Sequence, residues 1–368
     1  AKIISLTITE GGYNIAEKTG QFDLSDPAVQ ADLSPENPPR TVFRFVVQAM
    51  QRRKTNGAGP VTILSCDNLR SNGAVARKAF MGFAEAYDPA TAEWMAANVS
   101  FPDGMVDRIA PSVGPAEIAK ANALSGVNDR VPAIAESFIQ WVTEDDFIAG
   151  RPDFAAVGVQ LRPDVKAFET IKGRMLNASH MIMSFPSLLL GHRLVDKAVA
   201  DPRVLRLMLR FLNEVSMPLL APPSDVSLTG YRDMIVERFS NPAVGDQVLR
   251  IAHDGLSKLP IFLSATTRAV LESGKDPSIL AFHMACFRAY FAGRDDNGDT
   301  ITVNEPHLAP ADVDRVRSND PLVFLDITPF APLGLGSNRL FRDAYLHFVG
   351  LIATGGGAAA IDDLLGRA

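Results

Sequence analysis

The stretch that most constrains this chain is residues 164–191, DVKAFETIKGRMLNASHMIMSFPSLLLG. On an ideal helix, at about 100° per residue, Ile171, Met175, Ala178, Ile182 and Phe185 form one narrow stripe. Glu169, Lys172, Asn177 and His180 fall on a separate arc. A surface helix sets an apolar stripe against a charged back. This one does not: from Met175 to Gly191 the only ionisable residue is His180, and Leu176 and Met183 lie on the polar arc. The helix is therefore expected to be buried, with a break near Pro186. A single buried Lys, Asn or His is commonly a satisfied or snorkelling core residue. Three on one arc must each find a partner, and that marks the arc as a candidate site.

Around this helix the chain reads in two styles. Its 368 residues suffice for two domains. Up to residue 163, short apolar runs alternate with helices. Strands are expected at 2–9, 61–66, within 100–111, at 136–142 and at 157–161. Helices are expected at 41–54, with Val42, Phe45, Val46 and Ala49 inside, and at about 73–87. These pieces suggest the back half of an α/β sheet. After Arg162-Pro163 the pattern is helical almost to the end, at about 165–184, 187–199, 202–217, 229–240, 243–256, 260–273, 277–293, 311–318 and 338–353. The expected fold class is α/β plus all-α, with domains at 1–163 and 164–368.

Several polar residues stand out against this background. Asn68 follows the run 61–66, at the carboxyl strand end where open α/β sheets bind ligands. A turn or capping asparagine is the other reading. Asp107 and Arg108 inside an apolar strand are either a structural ion pair or part of a site. Glu10 precedes a Gly-Gly turn. Arg250 and Lys258 are eight apart, and Gly255 is expected to end a helix between them. Two such cations ordinarily mark a solvated face.

Other classes fall away. The net charge of −6 and the lack of a basic patch argue against nucleic acid or anionic membrane as a partner. No run of about 18 residues is free of polar interruption, so no membrane span is expected. Cys66 and Cys286 show neither pairing nor metal spacing, which fits a reducing cytoplasm. No signal peptide is visible. No His/Cys/Glu cluster has zinc-ligand spacing, so no metal is expected. The loop Asp295–Asp299 lacks the glycine and the final glutamate of a calcium loop and reads as a turn. Gly334-Leu335-Gly336 has no strand before it and reads as no phosphate cradle. No Gly-x-Ser-x-Gly elbow supports a hydrolase.

Lys172-x4-Asn177-x2-His180 resembles the signature of the polyol-specific long-chain dehydrogenases, the mannitol 2-dehydrogenase family. The resemblance extends over nearly the whole chain. It includes TEGGY at 9–13, SCDN-x3-NG at 65–73, FP-x2-MVDRI-x-P at 101–111 and RFSNP-x7-R-x7-K-x-P at 238–260. It implies a Rossmann-type cofactor domain followed by a helical substrate domain. It also implies oxidation of a secondary alcohol of a sugar alcohol to a ketose, without a metal. In that reading Lys172 is the general base, and Asn68 and Asn177 form the oxyanion hole. His180 acts beside them, and Asp107, Arg250, Lys258, Glu10 and Glu169 lie around the substrate. The implied cofactor is NAD, with NADP left open, and Asn68 lies at its site. The implied partner is a small polyol or ketose, bound by a monomer or weak oligomer. Reduction of a hexuronate such as fructuronate or tagaturonate by the same machinery is the alternative, and a truncated, non-catalytic chain is a further one. The family's glycine-rich dinucleotide turn is absent from the sequence, which is expected to begin inside the cofactor domain.

Overall fold

The computed structural model describes residues 1–16, 19–111 and 113–367. It divides into two compact units, Ala1–Arg108 with Ser137–Glu169, and Ile109–Glu136 with Thr170–Ala368.

The first unit holds a parallel sheet in the order β1 (Ile3–Leu6), β2 (Val61–Ser65), β3 (Val99–Ser100). All of β2 is buried, as its unbroken apolar run requires. The first strand is shorter than the expected 2–9. The Asp67 carboxylate accepts the backbone N–H groups of Ile8 (3.0 Å) and Thr9 (2.8 Å), and Thr9 has a φ of 66°, so the chain turns away from the sheet. Helices α1 (Pro27–Asp32), α2 (Val42–Thr55), α3 (Asn72–Tyr87) and α4 (Pro89–Asn98) complete the layer. Phe22, Phe43, Phe80 and Phe83 are central to its core. Phe45, expected inside, is 58% exposed. The buried face of α2 is instead Phe43, Val46, Val47 and Met50, the regular helical spacing one residue round. Arg44 is buried among them because its guanidinium reaches the carbonyls of Asp32, Ser34 and Pro35 and lies 4.3 Å from the Tyr87 ring centroid.

A second small sheet pairs β4 (Gly104–Asp107) antiparallel to β5 (Gln140–Thr143), which runs parallel to β6 (Gln160–Leu161). The strand expected over 136–142 therefore starts only at Gln140. The one expected over 157–161 shrinks to its last two residues, because Phe154–Val157 forms a 3-10 turn.

The second unit is helical. Its inserted segment carries α5 (Pro115–Ser125). Further along the chain, α6 (Val165–Ile171) leads into a π-helical run, Lys172–Asn177, and then α7 (Ala178–Leu189). There follow α8 (Val195–Ala200), α9 (Pro202–Arg210), α10 (Leu228–Phe239), α11 (Val248–Ala252), α12 (Gly255–Ser273), α13 (Ser278–Tyr290), α14 (Val313–Val316), α15 (Pro321–Phe324) and α16 (Arg339–Gly366). Helix α7 is the axis of the unit and touches α9, α11, α12, α13 and α16. Every residue from Met181 to Leu189 is buried, as an all-round apolar helix demands.

Pro186 does not break α7 as expected. It only removes the N–H that the Ile182 carbonyl would receive. The fully buried His283 imidazole faces that carbonyl, outside strict hydrogen-bond geometry, and burial pushes this histidine down to about 4, so it is neutral. Gly255 begins a helix rather than ending one. Asp254 adopts the left-handed conformation, and the Glu305 carboxylate accepts the N–H groups of Gly255 (3.0 Å) and Leu256 (2.9 Å). A Cβ on Gly255 would stand 2.9 Å from both Phe185 and Phe287. By length and composition α16 could cross a membrane. It is kinked at Gly356 (φ 73°), and Phe341, Tyr345, Phe348, Ile361 and Leu364 bury one side of it in the core.

Candidate active site

The π-helical run covers the Lys172-x4-Asn177 spacing from end to end. In an α-helix residues five apart stand about 140° apart. An i→i+5 helix, with more residues to each turn, brings them much closer round the axis. Lys172, Asn177 and, one turn further on, His180 thus share a narrower face than α-helical geometry gives. Lys172 is buried, while Asn177 and His180 are half-buried.

His180 stacks flat on Phe239, with ring centroids 4.1 Å apart and planes 8° apart. The two rings line a small pocket with Asp196, Arg238, Asn241 and Asp246. Two guanidinium–carboxylate forks frame it. Arg238 donates from Nε to Glu136 Oε2 (3.0 Å) and from Nη2 to Oε1 (2.6 Å), with both side chains almost wholly buried. Arg250 donates from Nε to Asp246 Oδ1 (2.7 Å) and from Nη2 to Oδ2 (2.6 Å). Lys258 donates to the carbonyls of Arg250 (3.3 Å) and Ile251 (3.1 Å), closing the end of α11. The turn between α11 and α12 thereby brings the Lys258 ammonium to the backbone of Arg250.

In the first unit, β1 and β2 end side by side and their loops are laced together. Asp67 takes the N–H groups of Ile8 and Thr9 and the Tyr13 hydroxyl (2.6 Å), and desolvation raises that tyrosine well above its ordinary value. The buried Asn72 amide donates to the carbonyls of Ser65 and Asp67, both at 3.1 Å, and accepts from Gly104 N–H at 2.8 Å. A Cβ on Gly73 would meet the Pro102 carbonyl oxygen at 2.4 Å, so only glycine fits there. This frame holds Asn68 exposed on the bend after β2, and Glu10 exposed in the 3-10 turn Glu10–Tyr13. Glu169 accepts the Ser71 N–H at 3.0 Å. Burial pushes its carboxyl up to about 7; the Ser71 N–H opposes this and the charge of Asp103 adds to it. Asp107 is buried at the end of β4, opposite Gln140.

The expected residues thus form two sets. Lys172, Asn177, His180, Arg250 and Lys258 belong to the helical unit, and Glu10, Asn68, Asp107 and Glu169 to the sheet unit. Sequence reasoning missed the pocket's Asp196, Arg238, Phe239, Asn241 and Asp246, and Glu136 behind them. Arg238, Phe239 and Asn241 stand in RFSNP, which reads locally as a helix end. Asp246 carried a usable signal, an acid four residues before Arg250.

Residues 1–156 match the family described as the mannitol dehydrogenase Rossmann domain, and residues 164–335 match the mannitol dehydrogenase C-terminal domain. A polyol:NADP oxidoreductase of Gluconobacter oxydans (strain 621H) is 48% identical over 320 residues, which cover 87% of this chain and 66% of that protein. The chain thus spans about two thirds of that relative's length. Among solved structures, a substrate-free D-sorbitol dehydrogenase superposes with a TM-score of 0.90 at 44% identity, over 98% of this chain and 74% of that one. Pseudomonas fluorescens mannitol 2-dehydrogenase, in a ternary complex with NAD and D-mannitol, gives 0.84 at 34% identity, over 100% and 75%.

Proposed function

The chain belongs to the mannitol dehydrogenase family, and from that premise we propose that it oxidises a secondary alcohol of a small polyol to the ketose. The observation that supports this reading is the π-helical run from buried Lys172 to Asn177, which draws the two closer round the helix axis. Lys172 takes the alcohol proton. Asn68 and Asn177 donate hydrogen bonds to the oxygen as it gains negative charge. His180, Asp107, Arg250, Lys258, Glu10 and Glu169 hold the remaining hydroxyls.

Two features of the first unit support a nicotinamide dinucleotide there. Two parallel strands end together, Asn68 follows one of them, and the Glu10-Gly11-Gly12 turn follows the other. Gly11 has open space where a Cβ would stand, so the backbone there can approach a ligand closely. The cofactor, NAD in this reading, accepts the hydride when bound. We assign residues 1–163 to the cofactor domain and 164–368 to the substrate domain of a cytoplasmic, metal-independent monomer or weak oligomer. The test is reduction of NAD+ or NADP+ driven by mannitol or sorbitol. An enzyme that reduces fructuronate far better than fructose, compared by kcat/KM, overturns the polyol assignment.

A further inference from the structure

Arg238 in the wall of the His180 pocket, and Arg250 behind its Asp246, are both already covered by carboxylates. We infer that Asp246 is a specificity-determining residue, which holds Arg250 for hydroxyl recognition and turns the pocket against substrates that carry a carboxylate. This inference rests on the polyol reading above and narrows it to neutral substrates.

Arginine binds a carboxylate best through the two parallel N–H groups of one edge. In Arg250 the Nε/Nη2 edge is taken by Asp246, at 2.7 and 2.6 Å. Asp246 is not a loose surface acid that could swing aside. Its side chain is 4% exposed, its Oδ1 also accepts the Gln247 N–H at 2.9 Å, and its carbonyl accepts the Val195 N–H at 2.9 Å. Arg238 is committed in the same way to Glu136, which in turn accepts the Ile109 N–H at 2.6 Å. Asp196 adds a second carboxylate to the pocket wall, and its partner Lys197 (3.2 Å) is largely exposed. The Lys258 ammonium is turned to the carbonyls of Arg250 and Ile251.

An incoming carboxylate at this pocket therefore meets Asp196 and Asp246, while the Nε/Nη2 edge of each arginine is occupied and its charge offset by a fixed carboxylate. A hydroxyl group is served by the same wall, because it carries no charge and can donate to an aspartate oxygen. Discrimination of this kind comes from what the wrong ligand leaves unpaired or repelled.

The experiment uses the complete enzyme with its cofactor and compares kcat/KM for fructose and for fructuronate, which differ in the terminal carboxylate. Wild type is expected to favour fructose. Asp246→Asn should lower the fructose-to-fructuronate ratio by about tenfold or more, chiefly through KM for the acid. Asp246→Glu, which keeps the charge, should largely preserve the ratio. Arg250→Gln uncovers the Asp246 carboxylate and should move the ratio the opposite way. A purely structural Asp246 would lower both efficiencies alike, so a folded Asp246→Asn enzyme with an unchanged ratio overturns the inference. If that variant does not fold, Arg250→Gln decides, and an unchanged or lowered ratio is the overturning result. A wild-type enzyme that prefers fructuronate, or reduces neither compound, overturns the polyol reading itself and this inference with it.

Discussion

At the scale of single residues the sharpest test is Lys172, buried at the start of the π-helical run. Alanine keeps the helix, being its best former. Lys172→Ala should cut kcat for alcohol oxidation by ~10²–10⁴-fold, the usual worth of a positioned base. Small primary amines should restore part of the rate by accepting the proton in the vacated space. Wild-type oxidation should accelerate with rising pH, because only a neutral amine accepts a proton. A variant that keeps its kcat and pH profile while losing thermal stability would make Lys172 a core residue and no more.

At the scale of elements, two helix starts carry consequences. The amino end of α12, which bears Lys258, is clamped by Glu305, whose carboxyl is raised from 4.5 to about 7, mainly by desolvation. A raised carboxyl means the folded state holds this proton where the unfolded chain has released it. Its stabilising effect is complete below the unfolded value, fades as pH climbs, and is gone above about 7. Thermal denaturation of wild type and Glu305→Gln at a series of pH values should show wild type losing ~1–3 kcal/mol relative to the variant between about pH 5 and 8. Parallel curves would remove Glu305 from that role. The amino end of α3 depends on Gly73, where a Cβ would run into the backbone of Phe101 and Pro102. Gly73→Ala should cost about 2 kcal/mol or more, read as a lower melting temperature. It should also loosen the neighbouring Asn72 clasp and the Asn68 bend.

At the scale of the whole molecule, the proposed chemistry asks nothing of a Lewis acid, since a lysine and two amides manage the proton and the developing charge. Exhaustive dialysis of the active enzyme against a chelator should leave its rate unchanged, and a loss reversed by zinc would overturn that view. The division into two units also shows why no single site list can be read along the chain. Residues 109–136 pack with the helical unit although they interrupt the sheet unit in sequence.

What the sequence determined by itself is what short-range chemistry encodes. An all-round apolar helix had to be buried, and α7 is. The apolar run after Pro60 had to be a buried strand, and β2 is. The family was legible in spaced polar residues that no core needs. Tertiary structure decided the rest. Ridge-by-ridge packing chose Phe43 over Phe45 as the inward face of α2, a one-residue rotation that the pattern permits either way. The i→i+5 turn at Lys172–Asn177 leaves no signal in the apolar period of the sequence, which reads as an ordinary α-helix. Pro186 stays inside its helix because packing on every side outweighs one lost hydrogen bond. The Glu136–Arg238 pair joins residues far apart in sequence, and such contacts leave no periodic trace in a chain, because only folding brings their partners within reach.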